Sequence, residues 1–436
     1  MQHKLKHFFA FTIFNFLLVS SIQAQENSPY SRFGIGDLDN AVTTQQKSFG
    51  GLGAAVQQRN RINTANPASY ASIGLTTFEP GIFFQRSSYT LGDSTYQSND
   101  ASINHFAFAF PLKENWGLSF GLLPFSRSNY HFENTGTDTE TGLTVNQIFK
   151  GDGDLYKVFI GSGYKVGNLS FGLQGNLIFG RYNRIKKLAF PGTPFMLNSR
   201  KLTANKFSVF KWEAGLQYNL PLSETQRIVF GVSGNTAQKM NITQDEVWQR
   251  FTFVENRRVN IVDTISISTG NTLESNIPAG FQLGASYYMG STFMVGAEFS
   301  WSNWENFDDV LTQNAYNDVY RVSFGLEYTP EMPNLEQILR QGQETGGAGN
   351  YFQRVSYRLG GYFGSQGLTI DGEELNEFGI TFGLGLPMRS FFNRINLGLE
   401  VGSRGANTDN LFNETFVKGY LGLTLNDRWF IRREFN

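Results

Sequence analysis

The chain has no cysteine among its 436 residues. Disulfides, thiol catalysis, thiolate metal sites and a lipid anchor on an N-terminal cysteine are all excluded. Charge is scarce as well. Asp, Glu, Lys and Arg make up 17% of the chain, against about a quarter in soluble domains. The net charge of −1 gives no electrostatic grip on nucleic acid. Of four histidines, His3 and His7 lie at the extreme N-terminus. That leaves His105 and His131, too few and too isolated for a metal centre, and no cofactor is expected. No run of roughly 18 apolar residues follows Ala24, so no membrane-spanning helix is expected. There is no Gly-x-Ser-x-Gly elbow, His-Glu-x-x-His pair or phosphate loop, and no enzyme is expected.

What is abundant is Gly (47), Phe (42) and Tyr (18). Phe and Tyr are strand formers that suit a lipid boundary, and Gly allows tight turns and close strand packing. Lys4 and Lys6 precede an apolar run over 8–19, and Ile22-Gln23-Ala24 offers a cleavage site. That pattern reads as a secretory signal peptide over 1–24.

Alternation then sets the fold class. Phe210, Trp212, Leu216, Tyr218 and Leu220 interleave with Lys211, Glu213, Gln217 and Asn219. The same period of two runs through 169–177, 293–301, 322–328, 378–386, 395–401 and 417–425, giving one apolar and one polar face. The segments are about 9–15 residues long, enough to cross a bilayer at a tilt, where soluble strands average about five or six. Trp301 and Trp304, Tyr287 and Tyr288, and Trp429 and Phe430 stand at segment ends, as interfacial girdles require. The expectation is an all-β, transmembrane antiparallel β-barrel in the outer membrane of a diderm bacterium, surrounded by lipid and lipopolysaccharide.

Fourteen strands are expected, near 77–90, 101–111, 115–133, 154–166, 168–183, 207–221, 226–245, 258–289, 292–304, 317–329, 352–365, 374–387, 394–403 and 414–426. Short links at 112–115, 166–168, 222–226, 289–291 and 387–393 belong at the periplasmic end. Long links at 91–100, 134–153, 184–206, 241–276, 305–316 and 404–413 belong outside. The barrel occupies 77–427, with one long periplasmic connection at 330–351 and a C-terminal tail at 428–436. Residues 25–76 are Gly- and Ala-rich and follow neither period. Irregular backbone is tolerated at membrane depth only inside protein or water, so this segment reads as a hatch folded into the lumen.

Gly50-Gly51-Leu52-Gly53-Ala54, then Asn66-Pro67-Ala68, then an aromatic first strand at Phe78 resemble the start of the long-chain fatty-acid transporter (FadL/TodX-type) family. The stretches at 27–36 and 425–431 look like Bacteroidota members of it. The resemblance implies fourteen strands and an N-terminal hatch carrying Asn66, Pro67 and Ala68. It also implies passive uptake of a hydrophobic small-molecule ligand, a fatty acid or similar, through an external apolar pocket and a hatch movement. Release in that family is sideways through the wall, and Gly117, Gly121 and Pro124 lie in the matching third strand.

Several residues stand out as site candidates. Lys211, Glu213, Glu298, Arg321, Glu327 and Glu400 fall on the polar phase of their strands. Buried charge is costly unless paired. One reading pairs them with each other and with Lys47, Arg59 and Arg61 of the hatch; the other makes them a relay that shifts the hatch. Pro67 is either a rigid turn or a pivot. Asp152 and Asp154, and Asp371 with Glu373 and Glu374, read as solvated loop acids. Leu143, Phe149, Leu188, Phe190, Phe195 and Met196 put apolar surface into the external links, as a ligand-capture surface or a partner contact. The alternative function is a non-transport barrel serving as partner subunit of an outer-membrane export or assembly complex.

Overall fold

A computed structural model describes residues 28–427 except positions 141, 192, 194, 195, 255–257, 332–350, 389–391 and 407–410. The leader at 1–24, most of 330–351, Phe195 and the tail at 428–436 lie outside the described residues.

Fourteen wall strands run in chain order: β1 (Thr76–Leu91), β2 (Ser94–Lys113), β3 (Trp116–Arg127, then Tyr130–Thr137), β4 (Thr144–Val166), β5 (Leu169–Ala189), β6 (Asn198–Pro221), β7 (Gln226–Asn235, then Gln238–Val254), β8 (Arg258–Ile277, then Gly280–Met289), β9 (Phe293–Ser302), β10 (Val319–Tyr328), β11 (Ser356–Ile370), β12 (Glu373–Pro387), β13 (Arg394–Gly405) and β14 (Asn413–Asp427). Each pairs antiparallel with its neighbour, and β14 pairs with β1 to close the barrel. No helix among the described residues is long and apolar enough to cross a membrane. The alternation does what period two demands. Phe210 and Leu173 are 62% and 65% exposed on the outer face, while Gln217 and Gln174 point inward and are buried. An exposed apolar band around a polar lumen is a lipid-facing wall.

The long links are a correction. β4, β5 and β6 have 23, 21 and 24 residues, about twice what a tilted crossing needs. Most of the described residues in 134–153, 184–206 and 241–276 are therefore strand, with described turn or bend residues near 138–142, 191 and 196. The link expected at 91–100 is a tight turn, with Gly92 at φ +54°. Beyond the bilayer both faces of a sheet meet water, so the apolar side of the alternation fades while the hydrogen-bond ladder continues. The outer parts of β3 to β8 form a six-stranded sheet rising above one side of the barrel. Asp152 and Asp154 lie inside β4 rather than in a loop.

Residues 28–75 thread the lumen. They begin at the long-link end, where Tyr30 packs with Leu368, Leu375, Ala406 and Leu411. They finish at Thr76, the start of β1 at the short-link end. On the way come a two-residue strand, Asp37–Leu38, and one turn of helix, α1 (Thr44–Lys47). Thr43 and Gln46 close a capping box on α1, which satisfies its first free N–H groups. A 3-10 turn, Pro67–Ser72, follows.

Candidate functional site

The inner segment is seated backbone against backbone. Asn66 caps the turn that Pro67 opens: its Oδ1 accepts from the Ala68 N–H at 3.0 Å. Its Nδ2 donates to the carbonyl of Ala54 at 2.7 Å, and at 3.3 Å to the carbonyls of Leu216 in β6 and Val232 in β7. Asn66, Pro67 and Ala68 are thus brought together against the wall. The wall answers with glycine. A Cβ on Gly172 would stand 2.2 Å from the Pro67 carbonyl carbon, and one on Gly215 would stand 2.0 Å from Asn66 Oδ1. These inward positions are glycine because the segment occupies the space a side chain would need, with the Pro67 backbone at Gly172 and the Asn66 side chain at Gly215.

The lumen charges fall into separate clusters. Glu298 accepts the N–H groups of Gly53 and Ala54, both at 2.7 Å. Glu327 pairs with Arg61 of the inner segment and with Arg358 Nε of β11 at 2.6 Å. Lys211 and Glu213 pair with each other at 2.8 Å, and Gln174 donates to Glu213 at 3.1 Å. Glu400 accepts from Lys418, Tyr362 and Tyr420. The Arg321 guanidinium lies 3.5 Å from the centre of the Tyr362 ring. Lys47 pairs with Asp39 of its own segment at 2.9 Å. Arg59 lines a polar cavity of about 670 Å³ at the short-link end, together with Arg61, Arg227 and Glu327.

The ladder between β2 and β3 is incomplete. It runs from Lys113 and Trp116 to Phe106 and Leu122 and stops there. Pro124 has no N–H to continue it, and the register against β4 shifts between Pro124 and Ser126. Above this point Asp37–Leu38 pairs with Arg127 and Ser126, so the inner segment supplies the strand that β2 does not. Arg127 spans the seam, donating to Asp100 of β2 at 2.9 Å and to Asp39 at 3.4 Å. Burial alone would raise the Asp39 carboxyl, yet Lys47 and Arg127 hold it down at about 2. Behind the seam lies a cavity of about 120 Å³ lined by Asp37, Asp39, Lys47, Arg127, Arg321, Glu400 and Arg404. Arg404 binds Asp37 at 3.1 Å and Glu414 at 2.6 Å. Sequence reasoning missed Asp37, Asp39, Asp100, Arg127 and Arg404. The only signal for them was charge at the ends of alternating segments and in a Gly-rich stretch.

Beside the cavity behind the seam, the long-link end of the lumen holds a packed apolar cluster. Ile35 of the inner segment, with Trp304 and Phe307 from the 303–318 loop, packs on Leu155, Ile178, Tyr182, Phe207 and Val209. The expected capture residues do not line this cluster. Phe149 and Leu188 sit in the raised sheet opposite Lys186 and Ser199. Leu143, Phe190 and Met196 lie at its turns, half-buried. His105 is buried beside Asn104.

Solved structures share this architecture. The Pseudomonas putida toluene transporter TodX aligns at TM-score 0.55 and 15% identity, over 90% of this chain and 98% of that one. The Ralstonia pickettii toluene transporter TbuX aligns at TM-score 0.55 and 14% identity, over 89% and 98%. A Pseudomonas aeruginosa FadL homologue aligns at TM-score 0.54 and 10% identity, over 90% and 98%. These likenesses show the fold, an outer-membrane β-barrel. No curated protein matches the sequence. The model of the BamG family matches residues 4–436, nearly the whole chain, and the chain therefore belongs to the BamG family.

Proposed function

We propose that this barrel acts as a plugged, non-conducting membrane subunit of an outer-membrane export or assembly complex. The observation that carries the reading is how the outer half of the interior is closed above the polar cavity at the short-link end. The space behind the seam is about 120 Å³ and ringed by paired charges, and the apolar cluster at the long-link end is packed with the chain's own Ile35, Trp304 and Phe307. An apolar solute moving inward would displace that packing and then desolvate charges that gain nothing from it. A sheet raised well above the bilayer supplies surface for a partner instead.

A second reading, passive uptake of a hydrophobic small molecule with residues 28–75 as a moving hatch, is favoured by the unpaired seam between β2 and β3. The toluene transporters of the same fold support it too. Reconstitution separates the two. Liposomes holding the purified barrel should take up labelled toluene or oleate no faster than empty liposomes, and native-membrane isolation should give a stoichiometric complex. Saturable uptake by a barrel that isolates alone would reverse the order of the readings.

A further inference from the structure

The six-stranded sheet above the membrane has two free edges, and they differ in chemistry. One is the outer part of β3, Tyr130–Thr137, which among the described residues pairs only with β4. Its exposed residues are Glu133, Asn134, Thr135, Gly136 and Thr137. It is short, polar and charged, as a protected edge should be. The other is the outer part of β8, Arg258–Ile277, which pairs only with β7 among the described residues. Among the described residues only its base is covered, where Ser275 and Asn276 donate to carbonyls of the 303–318 loop. Above that base, Val259, Ile261, Val262, Ile265 and Ile267 are all exposed, Ile267 at 66%. Asp263 is the one charged residue between Val259 and Ile267.

This edge does not face lipid. The bilayer-crossing parts of β7 and β8 are Gln226–Asn235 and Gly280–Met289, ten residues each, as a tilted strand requires. The apolar stretch lies a further dozen or so residues up the sheet. The register against β7 shifts at Ile265 and at Val262, so the edge is bulged twice within the stretch, and the regular ladder positions left unpaired on the outer side are Val259–Ile261, Asp263–Thr264 and Ser266–Ile267. Exposed apolar residues beside unpaired backbone groups are a template for another strand.

We infer that the outer edge of β8 docks an extended segment of a different polypeptide, added as a further β-strand with apolar side chains at alternate positions. The inference rests on the partner-subunit reading and names where and how the partner binds. The edge specifies the occupant's conformation, because only a strand satisfies a row of N–H and C=O groups. A second copy of this chain does not fit. Two barrels in one membrane stand the same way up, so a twofold axis between them runs along the membrane normal, and edge strands tilted from that axis would cross rather than lie side by side. That axis puts identical bonding residues at the same height, whereas parallel pairing needs them offset by one residue. The 330–351 connection and the C-terminal tail attach at the opposite end of the barrel.

Hydrogen exchange on the whole protein in native outer-membrane fragments tests this, compared with the purified barrel. Chemical crosslinking of the same fragments reports whether the barrel is in a complex. In the purified barrel, amides of 259–267 that point away from β7 should exchange quickly. In membranes they should be protected at least tenfold, and a photocrosslinker at Ile267 should join a chain other than this one. The double variant I261K/I267K should lose protection and crosslink while the barrel keeps its heat-modifiable mobility. A complex whose β8 edge exchanges as fast as in the purified barrel overturns this inference and leaves the partner-subunit reading standing. A barrel found alone in the membrane overturns both. Protection by a second copy of the chain overturns the assignment to a different polypeptide.

Discussion

The carboxylate of Glu298, on the inner face of β9, accepts the backbone N–H of Ala54 at 2.7 Å, with the Gly53 N–H at the same distance. One wall side chain thus holds two adjacent peptide groups of the inner segment. Hydrogen bonds to a charged acceptor contribute about 1.5–3 kcal/mol each. Glu298→Ala should loosen this stretch by about 3 kcal/mol, and Glu298→Gln, which keeps an acceptor, by roughly half that. Modification of a cysteine placed at Ala54 measures it. Equal reactivity in wild-type and Glu298→Ala backgrounds would show that Glu298 does not hold the segment.

Gly172 and Gly215 make a harsher test of the seat. Gly172→Leu has no room beside the Pro67 carbonyl. Overpacking costs about 1–3 kcal/mol even where neighbours can shift, and here the neighbour is backbone. The turn Pro67–Ser72 should unseat while the wall stays closed. Single-channel recordings should show openings in Gly172→Leu that wild type lacks. Gly419, with nothing near its missing Cβ, is the control, and Gly419→Leu should remain silent.

Glu327 neutralises Arg61 and Arg358 together. Removing one partner of a buried pair costs about 3–5 kcal/mol because the remaining charge stays buried. Glu327→Gln should therefore lower the unfolding midpoint on heat-modifiability gels more than Arg61→Met does, since Arg61→Met leaves Glu327 its bond to Arg358. The reverse ranking would mean that Arg61 contributes mainly by packing.

The seam should respond to acid. The Asp39 carboxyl sits at about 2 in the folded barrel against an ordinary 3.8. A depressed folded value means the stabilisation is fully present above pH 3.8 and is lost as pH falls towards 2. Cysteine pairs spanning Leu38 and Ser126 should stay close at pH 5 and separate between pH 4 and 2. Asp39→Asn should remove that pH dependence, while a transition near neutrality would point to another group.

Trp304 decides between the functional readings at the outer end. Trp304→Ala vacates a large side chain, a change that costs about 3–5 kcal/mol in a packed core, and exposes the apolar cluster around Ile35. If the barrel is a closed subunit, toluene flux into liposomes should stay at the empty-liposome level. A rise in flux would support a transport route that the loop normally covers.

The fourteen-strand count was legible in the sequence, but the polar passage 241–276, expected as an external link, is strand on both sides of 255–257. Alternation marks a strand wherever one face meets lipid and the other a polar lumen. It fades beyond the bilayer, which is why the expected links at 134–153 and 184–206 are strand. The inner segment was legible only as an absence of period. Its seat could not be read, because the glycines that form it are spread over strands far apart in sequence.

The sequence by itself determined the wall: period two, segment length and aromatic ends are local properties that a bilayer converts directly into tilted strands. It also supplied Asn66-Pro67-Ala68 and the six lumen charges as candidates. Only the tertiary structure decided their partners. Closing the barrel brings Glu327 to Arg61, Glu298 to Gly53 and Ala54, and Arg127 to Asp39 and Asp100. It also leaves the edge of β8 bare. Those relationships depend on strand register around a closed circle, and no local pattern encodes which residues that circle sets face to face.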